Sequence, residues 1–426
     1  MSFPKLSWVQ STNVYEVNTR QYTVEGTFNA FKEHIPRLKD MGVHTLWFMP
    51  VTPISHLKRK GSMGSYYACA DYTSVSREFG TMEDFKAIVE LAHALEMKVI
   101  IDWVANHTGA DHTWTRTHPD YYIRNSEGQF YDKHGWDDVI DLDYTNPQMR
   151  AEMIRAMEFW IRETDIDGFR CDMAMLVPVD FWLEARLKLD SVKKLFWLAE
   201  CDQWNDPQYL EAFDAAYAWK WMHATQEFYQ YGKPMHTLID VLNGYKGLHP
   251  QNAIRAWFTS NHDENSWNGT EYEKYGDMAI PLAVFSCTWE GLPLLYSGQE
   301  IPNRKRLAFF EKDFLNWGGG VSLQGFYKKL LELKQKHPAL LAASEEITTR
   351  LLSTDHADKV IAFQRKRGER EVVVILNLSA YPLQVHMYDE YVRQSRYSSI
   401  YHDHEFVCAE HPFIPMESWG FYVLIK

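Results

Sequence analysis

A closed (β/α)8 barrel, interrupted after its third strand and followed by an antiparallel β domain, is the fold this sequence predicts. Three observations carry it. Short apolar runs alternate with amphipathic stretches from Val14 to Ser297, the rhythm of a parallel sheet covered by helices. Eight such runs can be counted, which favours a closed barrel over an open sheet. Beyond a last helix the period changes to two, with turns between the runs, as in antiparallel strands.

Taken in order, Val14–Val17 reads as the first strand and Phe28–Met41 as a helix stopped by Gly42. Val43–Met49 is the second strand, Met82–Glu96 the next helix and Lys98–Asp102 the third strand. From Ala105 to Asn146 the chain is polar and aromatic and lacks a helical period. A segment that long is either a functional loop or a small inserted subdomain. Helix and strand resume with Arg150–Glu163, Ile166–Cys171, Phe181–Leu189 and Leu195–Glu200. Weaker strand signals follow near Ala212–Ala216, Ala256–Ser260 and Leu292–Ser297, then a helix at Phe326–His337. Val360–Arg365, Glu371–Leu378 and Phe421–Ile425 alternate as antiparallel strands. The expected division is barrel over 1–104 and 147–341, insert over 105–146, and β domain over 342–426. Arg365-Lys366-Arg367 is expected to be a solvated hairpin tip.

The 426 residues allow one large core and a smaller one. With 46% hydrophobic and 24% charged residues the composition is that of an ordinary soluble globular protein. A net charge of −13 without a basic stripe argues against a nucleic-acid partner. Aromatic residues reach 15%, enough to furnish a wet site for an uncharged, hydroxyl-rich ligand as well as a core. The five cysteines are scattered and form neither a disulfide framework nor a CxxC pattern. The N-terminus lacks the apolar stretch of a signal peptide, and no run of about 18 apolar residues occurs. The expectation is a reduced, cytoplasmic protein with no membrane partner. The oligomeric state is left open.

The strand ends carry the chemistry. Strand three ends in Asp102 and continues to Asn106 and His107; strand four ends in Arg170 and Asp172. Strand five ends in Glu200, and the seventh runs into Ser260-Asn261-His262-Asp263. Period-two alternation puts Arg170 and Asp172 on one face with Cys171 on the other. Burying such charges is costly unless they are paired, so the pair alone reads equally as structural or functional. Several carboxylates at one barrel mouth tip the reading towards glycoside hydrolysis, which needs one ionised carboxylate to attack and one protonated to release the leaving oxygen. Arg170 is expected to depress the pKa of Asp172, and the apolar run before Glu200 to raise that of Glu200.

These stretches resemble the α-amylase superfamily, glycoside hydrolase family 13. DWVANH (102–107), GFRCDMA (168–174), AE (199–200) and SNHDE (260–264) are similar to its motifs at the third, fourth, fifth and seventh strands. YYACADY (66–72), VIDLDYTNP (139–147) and GLPLLYSGQE (291–300) match three more, in order, and the tail fits the family's C-terminal β-sandwich. The resemblance implies Asp172 as nucleophile, Glu200 as acid/base, Asp263 as the third carboxylate and Arg170 as the group that orients Asp172. It implies His107 and His262 as hydrogen-bonding groups for the sugar and Tyr67, in preference to Tyr66, as its stacking partner. The implied substrates are α-1,4-linked maltooligosaccharides or starch-type glucans, and no cofactor is required. Asn106 resembles a calcium-ligand position, and Asp137, Asp138, Asp141 and Asp143 offer hard oxygens. Many endo-acting relatives carry Lys-His after the nucleophile; Met173-Ala174-Met175-Leu176 stands here, removing a usual contributor to that calcium site. Transglycosylases and exo-acting α-glucosidases on the same scaffold remain open, as does a sugar-binding relative without catalysis. A metal-dependent hydrolase is disfavoured because His107 and His262 lack a tight HxH or HExxH spacing. Trp204 and Trp267 are candidate sugar platforms, and His112, His118 and His134 are read as surface or local hydrogen-bonding groups.

Overall fold

The computed structural model describes residues 3–251, 253–393, 395–402, 405–407 and 413–426. Eight strands close into one parallel barrel. They are β1 (Val14–Val17), β2 (Thr45–Phe48), β3 (Lys98–Trp103), β4 (Gly168–Cys171), β5 (Phe196–Asp202), β6 (Ala215–Tyr217), β7 (Ile254–Trp257) and β8 (Leu292–Tyr296). Apart from Lys98 every residue in them is buried, which is why they read as near-continuous apolar runs rather than alternating ones. Val14, Trp47, Ile100, Leu198, Ala215 and Leu294 belong to the core inside the ring, while the alternate residues pack outward against helices. At Gly168 a Cβ would come within 2.0 Å of the Phe196 carbonyl oxygen, so this glycine lets β4 and β5 approach.

The helix expected over Phe28–Met41 is two helices, Phe28–Lys32 and Ile35–Asp40. Pro36 sits in the first turn of the second, where its missing N–H costs nothing; inside one continuous helix it would remove a hydrogen bond. The seventh strand lies earlier than expected, because from Phe258 onward the chain is already leaving the sheet towards His262. Helices at Trp219–Tyr231, His236–Gly247 and Ala279–Thr288 were not anticipated. The last is buried on every side and therefore has no amphipathic period to read.

Within the insert, His107–Gly109 pairs antiparallel with Val139–Asp141, which ties both ends of the excursion to the exit of β3. The C-terminal domain holds a six-stranded antiparallel sheet in the order Thr348–Leu352, Val360–Arg367, Arg370–Asn377, Phe421–Ile425, Arg396–Ser399, Glu405–Val407. Leu383–Val385 and Ile414–Met416 form a second small sheet, and a core that includes Val373, Ile375, Val385 and Ile414 lies between the two. On the other face Phe363 meets Trp289 of the barrel, ring centroids 4.8 Å apart. Arg365 shares that inward face and corrects the expectation of a solvated tip. It is 2% exposed, and the turn falls at Gly368 and Glu369 instead. Cys69, Cys171, Cys201 and Cys287 are free and buried; Cys408 lies outside the described residues. Among the described residues, no helix is long and apolar enough to cross a membrane.

Candidate active site

Parallel register brings the strand-end charges level with one another. Asp102 of β3 pairs in register with Arg170 of β4, and Cys171 of β4 with Ala199 of β5, so Asp172 and Glu200 follow side by side. Arg170 is the hub, with a fully buried side chain. Its Nη1 donates to Asp102 Oδ1 at 2.9 Å and to Asp172 Oδ1 at 3.0 Å. Its Nη2 lies 2.8 Å from Glu200 Oε2, off the hydrogen-bond axis, and its Nε donates to the Tyr217 hydroxyl at 3.2 Å. The guanidinium sits 4.9 Å from the Trp47 ring and 5.9 Å from that of Tyr67, so aromatic faces keep water from it. One cation thus serves three carboxylates.

That imbalance sets the protonation pattern. Burial and the Glu200 charge push Asp172 well above the usual carboxylate range, outweighing Arg170. The expectation that Arg170 would hold Asp172 low is therefore reversed. The guanidinium is shared with Asp102 and Glu200 rather than reserved for Asp172. Burial likewise lifts Asp102 to about 6 against the pull of Arg170. The Met173 amide donates to Glu200 Oε2 at 2.8 Å and fixes the direction of that carboxylate.

A second knot lies across the mouth. His262 Nδ1 donates to Glu16 Oε1 at 2.5 Å, and its Nε2 is 2.8 Å from the Tyr67 hydroxyl and 3.3 Å from Asp263 Oδ2. Burial would lower the His262 pKa, yet Asp263 and Glu16 raise it well above the ordinary value, so the ring is an imidazolium. In return His262 holds Asp263 below its ordinary value against the opposing effect of burial. The Asp263 side chain is 41% exposed and opens on the cleft. Tyr67 donates to Asp102 Oδ2 at 3.1 Å and stacks on His262 at 5.4 Å. Tyr66 instead turns into the core and donates to Asn18. Burial lowers His107 to about 4, so it is neutral; its Nδ1 is 3.2 Å from Asn106 Nδ2.

Tyr67, His107, Asp172, Glu200 and Asp263 all line one cleft of about 460 Å³, within the range of small-molecule sites. Its walls contain groups the sequence reading missed: Trp136 from the insert, and Phe309 and Phe310 from the loop after β8. Trp267 is on the wall and 53% exposed, whereas Trp204 packs against Tyr245 at 5.6 Å and does not line the cleft. Glu16 was also missed. A glutamate inside the buried run Val-Tyr-Glu-Val was the available signal.

The acidic residues offered for calcium are mostly committed to protein partners. Asp137 and Asp138 accept from Lys60 Nζ at 2.7 and 3.0 Å, and Asp143 Oδ1 caps Thr145. Asp141 and Asp132 each keep one buried oxygen without a partner, and His134 lies with them; their ligand atoms fall within 4.8 Å of one another. Two carboxylates and an imidazole do not make the oxygen cage calcium takes. Neither His107 nor His262 joins a three-ligand cluster among the described residues. His112 is buried and accepts from the Trp114 amide at 3.1 Å, while His118 is exposed and stacks on Tyr121.

Comparison with known proteins agrees with this geometry. The alpha amylase catalytic-domain model matches residues 9–131 and 121–312. The alpha-amylase MalA of Haloarcula japonica is 25% identical over 89% of the chain, which spans 57% of that relative's length. Alpha-amylase 3 of Dictyoglomus thermophilum is 25% identical over 87% of the chain and 85% of its own. Among solved structures, the maltogenic alpha-amylase AmyB of Thermotoga neapolitana superposes with a TM-score of 0.89 at 29% identity, covering 98% of this chain and 99% of that one. The chain belongs to the α-amylase family of glycoside hydrolase enzymes, and its barrel is that family's catalytic domain.

Proposed function

We propose that the protein cleaves α-1,4-glucosidic bonds of maltooligosaccharides or starch-type glucans with retention of anomeric configuration. The observation that carries this reading is the meeting of Asp172, Glu200 and Asp263 on one aromatic-walled cleft around the buried Arg170. In the first step an Asp172 oxygen attacks the anomeric carbon while Glu200 gives its proton to the departing glycosidic oxygen. In the second, Glu200 takes a proton from water, whose oxygen displaces Asp172. Asp172 and Glu200 flank one guanidinium, which holds the two carboxyl groups on the same side of the cleft; the first step needs the proton on Glu200 and Asp172 ionised. Asp263, held ionised by His262, would grip ring hydroxyls. Neutral His107 and the Tyr67 face would complete that subsite. Arg170 touches no sugar in this scheme and acts as a positioning residue.

Transfer to a second sugar is the other reading, favoured by the exposed Trp267 and neighbouring Phe309 and Phe310, which could hold an acceptor. Incubation with maltoheptaose and with pullulan, followed by product sizes and anomeric form over time, tests both. Shorter products released first as the α-anomer are expected. Early β-anomer would sink the double displacement, and chains longer than the substrate would move the assignment to transfer.

A further inference from the structure

At the opposite end of the barrel a cleft of about 280 Å³ opens between the loops leading into β7 and β8 and the C-terminal domain. Two arginines line it. Arg255, the second residue of β7, is 5% exposed, and Arg365, on the strand Val360–Arg367, is 2% exposed. Arg255 donates through Nη2 to Gln203 Oε1 at 2.7 Å and to the Tyr245 carbonyl at 2.8 Å. Arg365 donates through Nη2 to the Leu341 carbonyl at 3.0 Å. Their other donors are not all used. Arg255 Nε, Arg365 Nε and Nη1, and the Thr349 hydroxyl are buried without hydrogen-bond partners, and all three residues border this one cleft.

Leaving buried cationic donors unpaired is among the costliest arrangements a fold can keep. The two acids that line the cleft, Glu290 and Glu345, do not relieve it; among the described residues Glu345 makes no ion pair with either arginine. Glu290 lines the cleft and its charge reaches both arginines, yet among the described residues it makes an ion pair with neither. Lys334 is buried nearby, but spends Nζ on the carbonyls of Gly291 and Leu340 at 2.7 and 2.5 Å. Burial brings Arg365 down to about 10, which still leaves it charged at neutral pH.

We propose that this cleft binds a small oxyanion, a phosphoryl group supplied by inorganic phosphate or by a phosphorylated sugar, through Arg255, Arg365 and Thr349. Arg255 Nε, Arg365 Nε and Nη1 and the Thr349 hydroxyl are the donors left over, each able to meet a phosphoryl oxygen singly. Glu290 can accept from a sugar hydroxyl but not from a dianion, and the space approaches the small end of ligand pockets rather than that of a bare ion. Barrel and C-terminal domain both contribute walls, so an occupant would link them. The site lies at the end of the barrel away from the catalytic carboxylates and stands independently of the glucan reading.

The test is calorimetric titration of the full chain with inorganic phosphate and with glucose 6-phosphate, at ionic strength balanced by chloride. Saturable binding is expected, weakened about tenfold or more in Arg365→Gln and less in Thr349→Val. In Glu290→Gln, phosphate binding should tighten, because a negative charge beside the anion is gone; a merely structural role for these residues would not give that opposite sign. Thermal unfolding of each variant without phosphate checks that it is folded. Saturation by both probes assigns the phosphoryl group alone, and saturation by the sugar ester only shows that hydroxyls are read as well. No binding of either, or binding unchanged in both Arg365→Gln and Thr349→Val, overturns the proposal.

Discussion

Asp167 and Asp172 stand at the two ends of the same short strand and have opposite surroundings. Below β4, Asp167 receives His93 Nε2 at 2.7 Å, Lys98 Nζ at 3.2 Å, Lys193 Nζ at 3.3 Å and the Val99 amide at 3.0 Å. Burial opposes ionisation there, but the His93 hydrogen bond and the Lys193 charge win and pull it down to about 2. Above β4, Asp172 shares one arginine with two other carboxylates and is pushed up. Cations in excess make a clamp; carboxylates in excess make a site that is unstable as it stands and ready for a substrate to complete.

The sharpest way to break this contrast is to remove each charge isosterically. Asp172→Asn is expected to cost at least about 10⁴-fold in turnover on maltoheptaose, as loss of a nucleophile does. Its unfolding temperature should rise rather than fall. A group whose folded pKa lies above its unfolded value destabilises the fold once the pH has passed that unfolded value. Calorimetric scans at neutral pH beside reducing-end release would check both halves, and a lower unfolding temperature would contradict the crowded-anion account.

Asp167→Asn should behave in the reverse way. With a folded pKa of about 2 against about 3.9 unfolded, the carboxylate contributes stability that is fully present above about pH 4 and lost as the pH falls towards 2. The substitution should cost about 2 kcal/mol at neutral pH, with turnover nearly unchanged. Urea unfolding at neutral pH and again near pH 2.5 would measure it, and the variant and the parent should converge in acid.

A pH profile sharpens the upper end of the comparison. Burial and, next to it, the Glu200 charge raise the Asp172 pKa. Activity needs Asp172 ionised, so the acid limb should lie above that of an ordinary aspartate. With α-maltosyl fluoride, whose fluoride leaves without a general acid, that limb should lie at lower pH in Glu200→Gln than in the parent. An acid limb that stays put would mean that burial alone raises Asp172.

The sequence made one side of this comparison legible and hid the other. Arg170, Asp172 and Glu200 could be read because each ends an apolar run, and a charge at the close of a buried strand is conspicuous. The clamp on Asp167 draws on His93, Lys98 and Lys193 from three separate segments, which no local period connects. The weak strand near Ala212–Ala216 proved to be only Ala215–Tyr217, too short to carry a pattern. The helix Ala279–Thr288 escaped because an element buried all round has no polar face to time it. Arg365 was misread for a related reason: a basic run looks solvated until alternation places one member on the face beneath.

The cleft walls test the smallest effect, and how far the carboxylate cluster depends on its surroundings. Trp136 packs edge-on against His107 at 5.4 Å and lines the cleft, whereas Trp267 stands more exposed beside Phe309. Neither ring touches Asp172 or Glu200, but Trp267 hydrogen-bonds Asp263 and helps to keep it ionised, while Trp136 braces His107. Trp267→Ala is then expected to raise KM several-fold through the loss of one stacking face, with only a small fall in kcat from the lost contact to Asp263. Trp136→Ala should raise KM likewise and lower kcat more than Trp267→Ala does, because it frees His107 to turn. If Trp136→Ala left kcat untouched and Trp267→Ala lowered it, the ring that fixes the catalytic subsite would be the exposed one. The insert would then be a wall only.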